Sequence, residues 1–298
     1  MAGARGRVGL SQPGGARGPL LEELVAAALA EDVGEGDVTT AATVPGMSGR
    51  ARILARQSGV IAGLGAAAEV YRQVDPEIVF ETAVADGDAV GEGAAVADAR
   101  GSYASLLVAE RTALNFLQRL SGTATLTAAF VAAVEGTGAA IVDTRKTTPG
   151  WRRLEKAAVA AAGGRNHRMG LDDAYLIKEN HVAAAGGVAA ALGAVEAHRA
   201  GEARPVEIEV RSLAELDEAL AADAPLDRVL CDNFDLEDLR TAVLRARARR
   251  PGLVVEASGN VRLDTVREIA GTGVDWISVG ALTHSAPALD LSCLIEPA

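Results

Sequence analysis

From residue 138 onward the chain repeats one pattern. A short apolar run ends in polar residues, and a segment with helical spacing follows. The runs are "GAAIVDTRKTT", "DAYLIKENH", "PVEIEVRS", "DRVLCDNF", "GLVVEASGN" and "VDWISVG". Between them lie "VAAAGGVAAALGAVEAHR", "LAELDEALAA", "LEDLRTAVLRARARR" and "LDTVREIAG". Strand alternating with helix implies a parallel sheet with helical crossovers. Six such strands suit a closed or nearly closed β/α barrel, with a doubly wound open sheet as the alternative. No GxGxxG opens the series, which weakens a dinucleotide fold.

The first third has a different rhythm. "LLEELVAAALAEDV" sets Leu21, Leu24, Val25 and Leu29 on one side of a helix. "GRARILARQSGVIAGL" and "DPEIVFETAVADGDAV" read as strands broken by Gly and Asp turns. "SYASLLVAERTALNFLQRLSGTATLTAAFVAAVEG" is helical over most of its length. This part is therefore mixed α and β, with strands close together in sequence. Residues 1–19, rich in Gly, Ala and Arg and without an apolar centre, read as a loose tail, not a signal peptide. No apolar run is long enough to span a membrane.

Composition changes this picture in two places. Apolar residues make up 49% of the 298, enough for a large core, but aromatics are only 3%, so Ala, Val, Leu and Ile must fill it. The formal net charge of -11 argues against general nucleic-acid binding. Small anionic ligands stay open, because a local cationic pocket needs only a few residues. The two cysteines, Cys231 and Cys293, form neither a disulfide framework nor a Cys-based zinc site, and they fit a reducing cytosol.

In a β/α barrel the chemistry sits at the C-terminal ends of the strands. Those ends carry Asp143, Arg145 and Lys146; Lys178 and Glu179; Glu209 and Arg211; Asp232; Ser258 to Asn260; and Gly280. His167 and Arg168 join them from "NHRM". Cations converging from three segments of an acidic chain suggest a polyanion cradle, since Arg grips carboxylates and phosphates bidentately and Lys offers a point charge. A Schiff-base lysine is the rival reading, though it leaves the arginines unexplained. Glu207 and Glu209 share one strand face. Glu209, nearer the strand end, is the better site candidate, while Glu207 suits a structural role. Glu209 and Asp232 opposite the cations suggest Mg²⁺ or ribose hydroxyls. The small residues of "EASGN" and "SVGAL" would let backbone N–H groups approach a phosphate.

These motifs, in this order, resemble the quinolinate phosphoribosyltransferases. The resemblance runs through "AERTALNFLQRLSG", "DTRKTTPG", "EKAAVAAAGGRNHRMGL", "LIKENH", "EIEV", "LCDNF", "EASGN" and "ISVGALTHSAPALDLS", over about residues 20–298. It implies a type II phosphoribosyltransferase fold. An N-terminal α/β sandwich-like domain (20–122) would precede an incomplete α/β barrel (123–285), with residues 286–298 returning to the first domain. The implied reaction joins quinolinate and phosphoribosyl pyrophosphate, with Mg²⁺, to give nicotinate mononucleotide, carbon dioxide and pyrophosphate. The resemblance assigns Arg145, His167, Arg168 and Lys178 to the quinolinate carboxylates, and Lys146 to the same cationic site near the phosphates. It makes Glu209 and Asp232 the acidic pair near ribose and metal. Lys146, Lys178, Glu209 and Asp232 are then the catalytic groups. Ser258, Gly259, Gly280 and His284 fall to phosphate. Arg111 would reach quinolinate from a neighbouring subunit, so a homodimer or larger assembly, in the cytoplasm, is expected. Two other readings stay open: a same-fold enzyme for nicotinate or another ring acid, and a non-catalytic barrel that binds a phosphorylated ligand.

Overall fold

The structure, a computed structural model, describes residues 18–298. The expected tail lies outside these residues except for its last two.

The chain opens with α1 (Leu21–Val33) and α2 (Val38–Thr43), the second capped by the Asp37 carboxylate, which accepts the N–H groups of Thr39 and Thr40. Then come β1 (Ser48–Ala55), β2 (Gly59–Val60), α3 (Leu64–Val74), β3 (Val79–Thr82), β4 (Ala89–Val90) and β5 (Ala95–Ser102). Period-two alternation decides the faces of β1. Ala51, Ile53 and Ala55 are buried, whereas Arg50 and Arg52 point outward to share Asp98 of β5 at 2.8 and 3.2 Å. Sequence reasoning passed over helix α3, although it is amphipathic and buries Leu64, Ala67, Val70 and Tyr71 on one face.

Helix α4 (Tyr103–Ala133), started by a Ser102 side-chain cap, belongs to two cores. Leu106, Leu114, Leu117 and Leu120 pack in the first, and Phe130 packs in the second.

The second core is the barrel. It is built from β6 (Ala140–Val142), α5 (Arg152–Ala161), β7 (Tyr175–Ile177), α6 (Glu179–Ala185), α7 (Val188–Arg199), β8 (Val206–Val210) and α8 (Leu213–Ala221). It continues through β9 (Arg228–Asp232), α9 (Leu236–Arg249), β10 (Val254–Ser258), α10 (Val266–Ala270), β11 (Trp276–Ser278) and α11 (Ala281–His284). The six strands expected from the pattern form one parallel sheet in the order β6-β11-β10-β9-β8-β7. Strands 7 to 11 follow one another in sequence, with β6 added beyond β11. A doubly wound sheet reverses direction at an internal switch point, and this one does not. The sheet is an incomplete barrel, open between β6 and β7. The segment around Arg165 fills that seam: Arg165 donates to the Ile141 carbonyl (2.8 Å), and its own carbonyl accepts the Asp143 N–H (3.0 Å).

Alternation also places the polar residues. Val206, Ile208, Val210, Val229, Cys231, Val255, Ala257 and Ile277 face the helices and form the apolar core. The intervening positions, Glu207, Glu209, Arg228, Glu256 and Trp276 among them, therefore point into the barrel.

After α11 the chain leaves the barrel. Segment 286–290 crosses α4 at Gly122, where a Cβ would collide with the Pro287 carbonyl oxygen. Leu289 donates to the Gln118 carbonyl at 2.9 Å, and Arg119 donates to the Ala286 carbonyl at 3.1 Å. Strand β12 (Leu291–Pro297) then pairs antiparallel with β1, completing the sheet β12-β1-β5-β3. Among the described residues no helix is long and apolar enough to cross a membrane.

Candidate active site

The mouth of the barrel rests on a buried ion pair. Asp143 follows β6 directly and is 0% exposed; Lys156, on α5, is 1% exposed. The Lys156 ammonium donates to the Asp143 carboxylate and to the His167 carbonyl (3.0 Å), and the His167 N–H donates to Asp143 (2.8 Å). Burial pushes the Asp143 carboxyl up and the Lys156 ammonium down, and the attraction between them opposes both shifts. Arg152, on the same helix, donates to the Thr147 hydroxyl (2.9 Å), the Met169 carbonyl (3.0 Å) and the Arg145 carbonyl (3.3 Å). Helix α5 thus binds together the two loops that carry Arg145 and Arg168.

Those two arginines are short of partners. The Nε atoms of Arg145 and Arg168 are buried and have no hydrogen bond. The Arg168 guanidinium donates from Nη1 to the Ala174 carbonyl at 3.2 Å. Burial and the neighbouring charge of Arg145 push the Arg168 guanidinium below its ordinary range. A buried donor without a partner costs about 1–3 kcal/mol. Two adjacent guanidiniums in that condition call for an anion.

Lys178 follows β7 directly, at the same rim. Its ammonium lies 2.5 Å from Glu209, whose carboxylate points up from β8. Lys146 reaches the rim from the β6 loop. A Cβ on Gly280 would lie 3.0 Å from the Lys146 side chain and 3.2 Å from Nε2 of His284, so these three expected residues stand together. Thr283 fixes the arrangement by donating to the Lys146 carbonyl at 2.7 Å.

Across the mouth, the loops after β9 and β10 interlock. Asn233, Gly259 and Asn260 have φ values of 57°, 96° and 49°. Asn233 donates from its backbone to the Ser258 carbonyl (2.9 Å) and from its side chain to Asp232 (2.9 Å). Asn260 donates to the Asn233 side-chain oxygen (3.1 Å), and a Cβ on Gly259 would collide with that side chain. The left-handed backbone and close approach explain the glycine. Asp232, Ser258 and Gly259 are thereby held in one small-residue wall.

Two expected residues stand differently. The His167 ring turns down into the barrel. Its Nδ1 accepts the Arg168 N–H (2.7 Å), and its Nε2 lies 3.1 Å from Glu207 and 3.6 Å from Glu256. Both ring nitrogens are engaged inside the protein, which leaves neither facing an open pocket. Arg111 lies on the exposed side of α4 within the first core's half of the molecule, near Cys293 of β12.

Below the mouth, Glu207 also accepts from Arg228 (3.1 Å), whose guanidinium lies 4.8 Å over the Trp276 ring. Burial pushes Glu207 up, but the hydrogen bonds from His167 and Arg228 outweigh it and hold this carboxyl below its ordinary value. Glu256 is pushed well above it, by burial and then by the charge of Glu207. His167, Glu207 and Glu256 are the compact cluster of potential metal ligands among the described residues, with donor atoms within 4.8 Å of one another. An Nδ1 that accepts a backbone N–H leaves the ring proton on Nε2. Nε2 then donates to carboxylate and has no lone pair for a metal.

A family model described as "Quinolinate phosphoribosyl transferase, N-terminal domain" matches residues 37–121, and its C-terminal counterpart matches residues 123–293. The chain belongs to the quinolinate phosphoribosyltransferase family. It is 42% identical to quinolinate phosphoribosyltransferase [decarboxylating] 1 of Nicotiana glauca, over 93% of this chain and 82% of that one. It is also 42% identical to a probable nicotinate-nucleotide pyrophosphorylase [carboxylating] of Synechocystis, over 90% of each. The solved nicotinate-nucleotide pyrophosphorylase of Francisella tularensis superimposes with a TM-score of 0.87 at 42% identity, covering 93% of this chain and 96% of that one.

Within this quinolinate phosphoribosyltransferase fold, sequence reasoning passed over Lys156, Arg152, Arg228, Asn233 and Glu256. A signal existed for α5. Arg152, Glu155, Lys156 and Val159 follow i, i+3, i+4, i+7 spacing, which marks one helix face even when most of it is charged.

Proposed function

We propose that this protein transfers the phosphoribosyl group of phosphoribosyl pyrophosphate to quinolinate and removes one carboxylate, giving nicotinate mononucleotide, carbon dioxide and pyrophosphate. The observation that carries the reading is the pair of adjacent guanidiniums, Arg145 and Arg168, with buried unpaired donors. Quinolinate brings two neighbouring carboxylates, and a planar fork such as Arg matches a carboxylate in two bonds.

The other groups follow from their places. Lys146, Gly280 and His284, which stand together, and Ser258 and Gly259, in the small-residue wall, suit the phosphates. Glu209 and Asp232, at the ends of adjacent strands, favour positive charge as it develops at ribose C1. Lys178, paired with Glu209, adds a cation beside the acid site. The pyridine nitrogen attacks C1 as pyrophosphate leaves, and the ring nitrogen becomes cationic. That nitrogen accepts the electron pair released when the adjacent carboxylate departs as carbon dioxide, and the ring carbon takes up a proton. The oxygen donors of Glu209 and Asp232 fit Mg²⁺, which takes one or two protein carboxylates with phosphate oxygens and water, and which would neutralise charge on the leaving pyrophosphate.

His167 serves from below, holding the backbone next to Arg168. Arg111, exposed on α4, serves the acid site of a neighbouring subunit, so the working enzyme is at least a homodimer. The free thiols Cys231 and Cys293 suit a cytoplasmic setting. Purified protein supplied with phosphoribosyl pyrophosphate and Mg²⁺ tests the acid: quinolinate is the expected acceptor, and a preference for nicotinate would replace this reading.

A further inference from the structure

We propose that the buried Asp143–Lys156 pair is a positioning device for Arg168, fixing the seam segment on which acid recognition depends. The role rests on the quinolinate reading above.

Segment 165–168 belongs to no strand or helix. It lies in the seam between β6 and β7, attached to the sheet by a single bridge at Arg165. Left there, a loop would let its side chains wander, yet the next residues must present a guanidinium to a rigid dianion. The pair grips the segment one residue before Arg168. Asp143 accepts the His167 N–H at 2.8 Å, and Lys156 donates to the His167 carbonyl at 3.0 Å, so both backbone groups of His167 are fixed. The Asn166 amide, turned to satisfy its hydrogen bonds, donates to the second Asp143 oxygen at 2.7 Å and to the Lys156 carbonyl at 2.9 Å. The His167 ring adds an anchor on Glu207 at 3.1 Å.

Neither member of the pair can touch substrate, since both are sealed from solvent. Stability alone does not explain them either. Buried ion pairs are often replaced by apolar residues of similar volume without loss. What an apolar filler lacks is direction: it fills the seam but offers no acceptor for the His167 N–H and no donor for its carbonyl. Asp143 and Lys156 therefore act through Arg168.

The test replaces the pair with apolar residues, Asp143→Leu together with Lys156→Met, and measures folding, both KM values and the coupling to Arg168→Ala. A folded double variant should show a quinolinate KM raised about tenfold or more, within the roughly hundredfold that a misplacement of about 1 Å can cost, with the phosphoribosyl pyrophosphate KM within about twofold. In the Arg168→Ala background the same replacement should add less than about twofold, because residues acting through one another do not add. An unchanged quinolinate KM, or losses that multiply in that background, would overturn the role. If the double variant does not fold, Lys156→Met alone, which removes the donor to the His167 carbonyl at similar side-chain length, is read by the same criteria. Wild-type turnover of quinolinate is measured alongside. Its absence would remove the quinolinate reading and this role together, whereas its presence with unchanged variant KM would overturn the role alone.

Discussion

Arg168 combines three properties rarely found together: positive charge, partial burial, and a donor with no partner. Removing one member of a desolvated charge pair typically costs about 3–5 kcal/mol. Arg168→Ala should therefore raise the quinolinate KM by two orders of magnitude or more by that estimate, and the phosphoribosyl pyrophosphate KM far less. Steady-state kinetics with each substrate varied in turn checks this, and equal losses would contradict it. Glu256 shows the opposite use of burial. Its carboxyl lies beside Glu207 with both oxygens unpaired, and its pKa stands well above the ordinary value. Below the ordinary carboxylate range it is protonated in both the folded and unfolded states. As pH rises, the unfolded chain loses this proton first, so stability drains away up to the folded pKa. Glu256→Gln abolishes that titration. Its stability relative to wild type should climb by up to about 1 kcal/mol per pH unit across this window. Urea unfolding from pH 4.5 upward, about the ordinary Glu value, reads the difference, and a difference independent of pH would refute the neutral Glu256.

At the scale of elements, the C-terminal return depends on how closely segment 286–290 crosses α4. Gly122 permits it, and the obstacle to any Cβ is a backbone carbonyl that has little room to retreat. Gly122→Ala should cost about 1–3 kcal/mol or more, as overpacking does, seen as a lower urea midpoint with an unchanged slope. An unaltered midpoint would show that the crossing relaxes freely. The six barrel strands were legible because their outward residues must be apolar against the helices, while the chemistry waits at the strand ends. Val206, Ile208 and Val210 around Glu207 and Glu209 show both rules in five residues. The seam segment was not legible, because it has no periodicity and its place is decided by partners far off in sequence. Lys156 and Glu155 were hidden by their own charge: an ordinary helix turns such residues to water, and α5 turns them inward. The direction of the His167 ring could not be read either, since it depends on Glu207 and Glu256 from two other strands.

The whole molecule is acidic, with a net charge of -11, and gathers cations at one rim. That contrast gives a dianionic acid and a polyphosphate one place to bind. The role proposed for Arg111 reaches beyond one chain, because it stands on α4 while the proposed acid site stands in the barrel. Take Arg111→Ala and Lys178→Ala, each inactive alone, and let their subunits mix. Random pairing makes about half of the dimers hybrids with one intact site of two, so about a quarter of normal activity should return. No recovery, with hybrids confirmed by native mass spectrometry, would reject the shared site.

This rim is expected to bind a dicarboxylate and to couple phosphoribosyl transfer to loss of one of its carboxylates. Quinolinate labelled in the carboxylate next to the ring nitrogen tests it most directly. With phosphoribosyl pyrophosphate and Mg²⁺ present, labelled carbon dioxide and pyrophosphate should appear in equal amounts, and neither should appear when one substrate is withheld. Pyrophosphate released without labelled carbon dioxide would contradict the account.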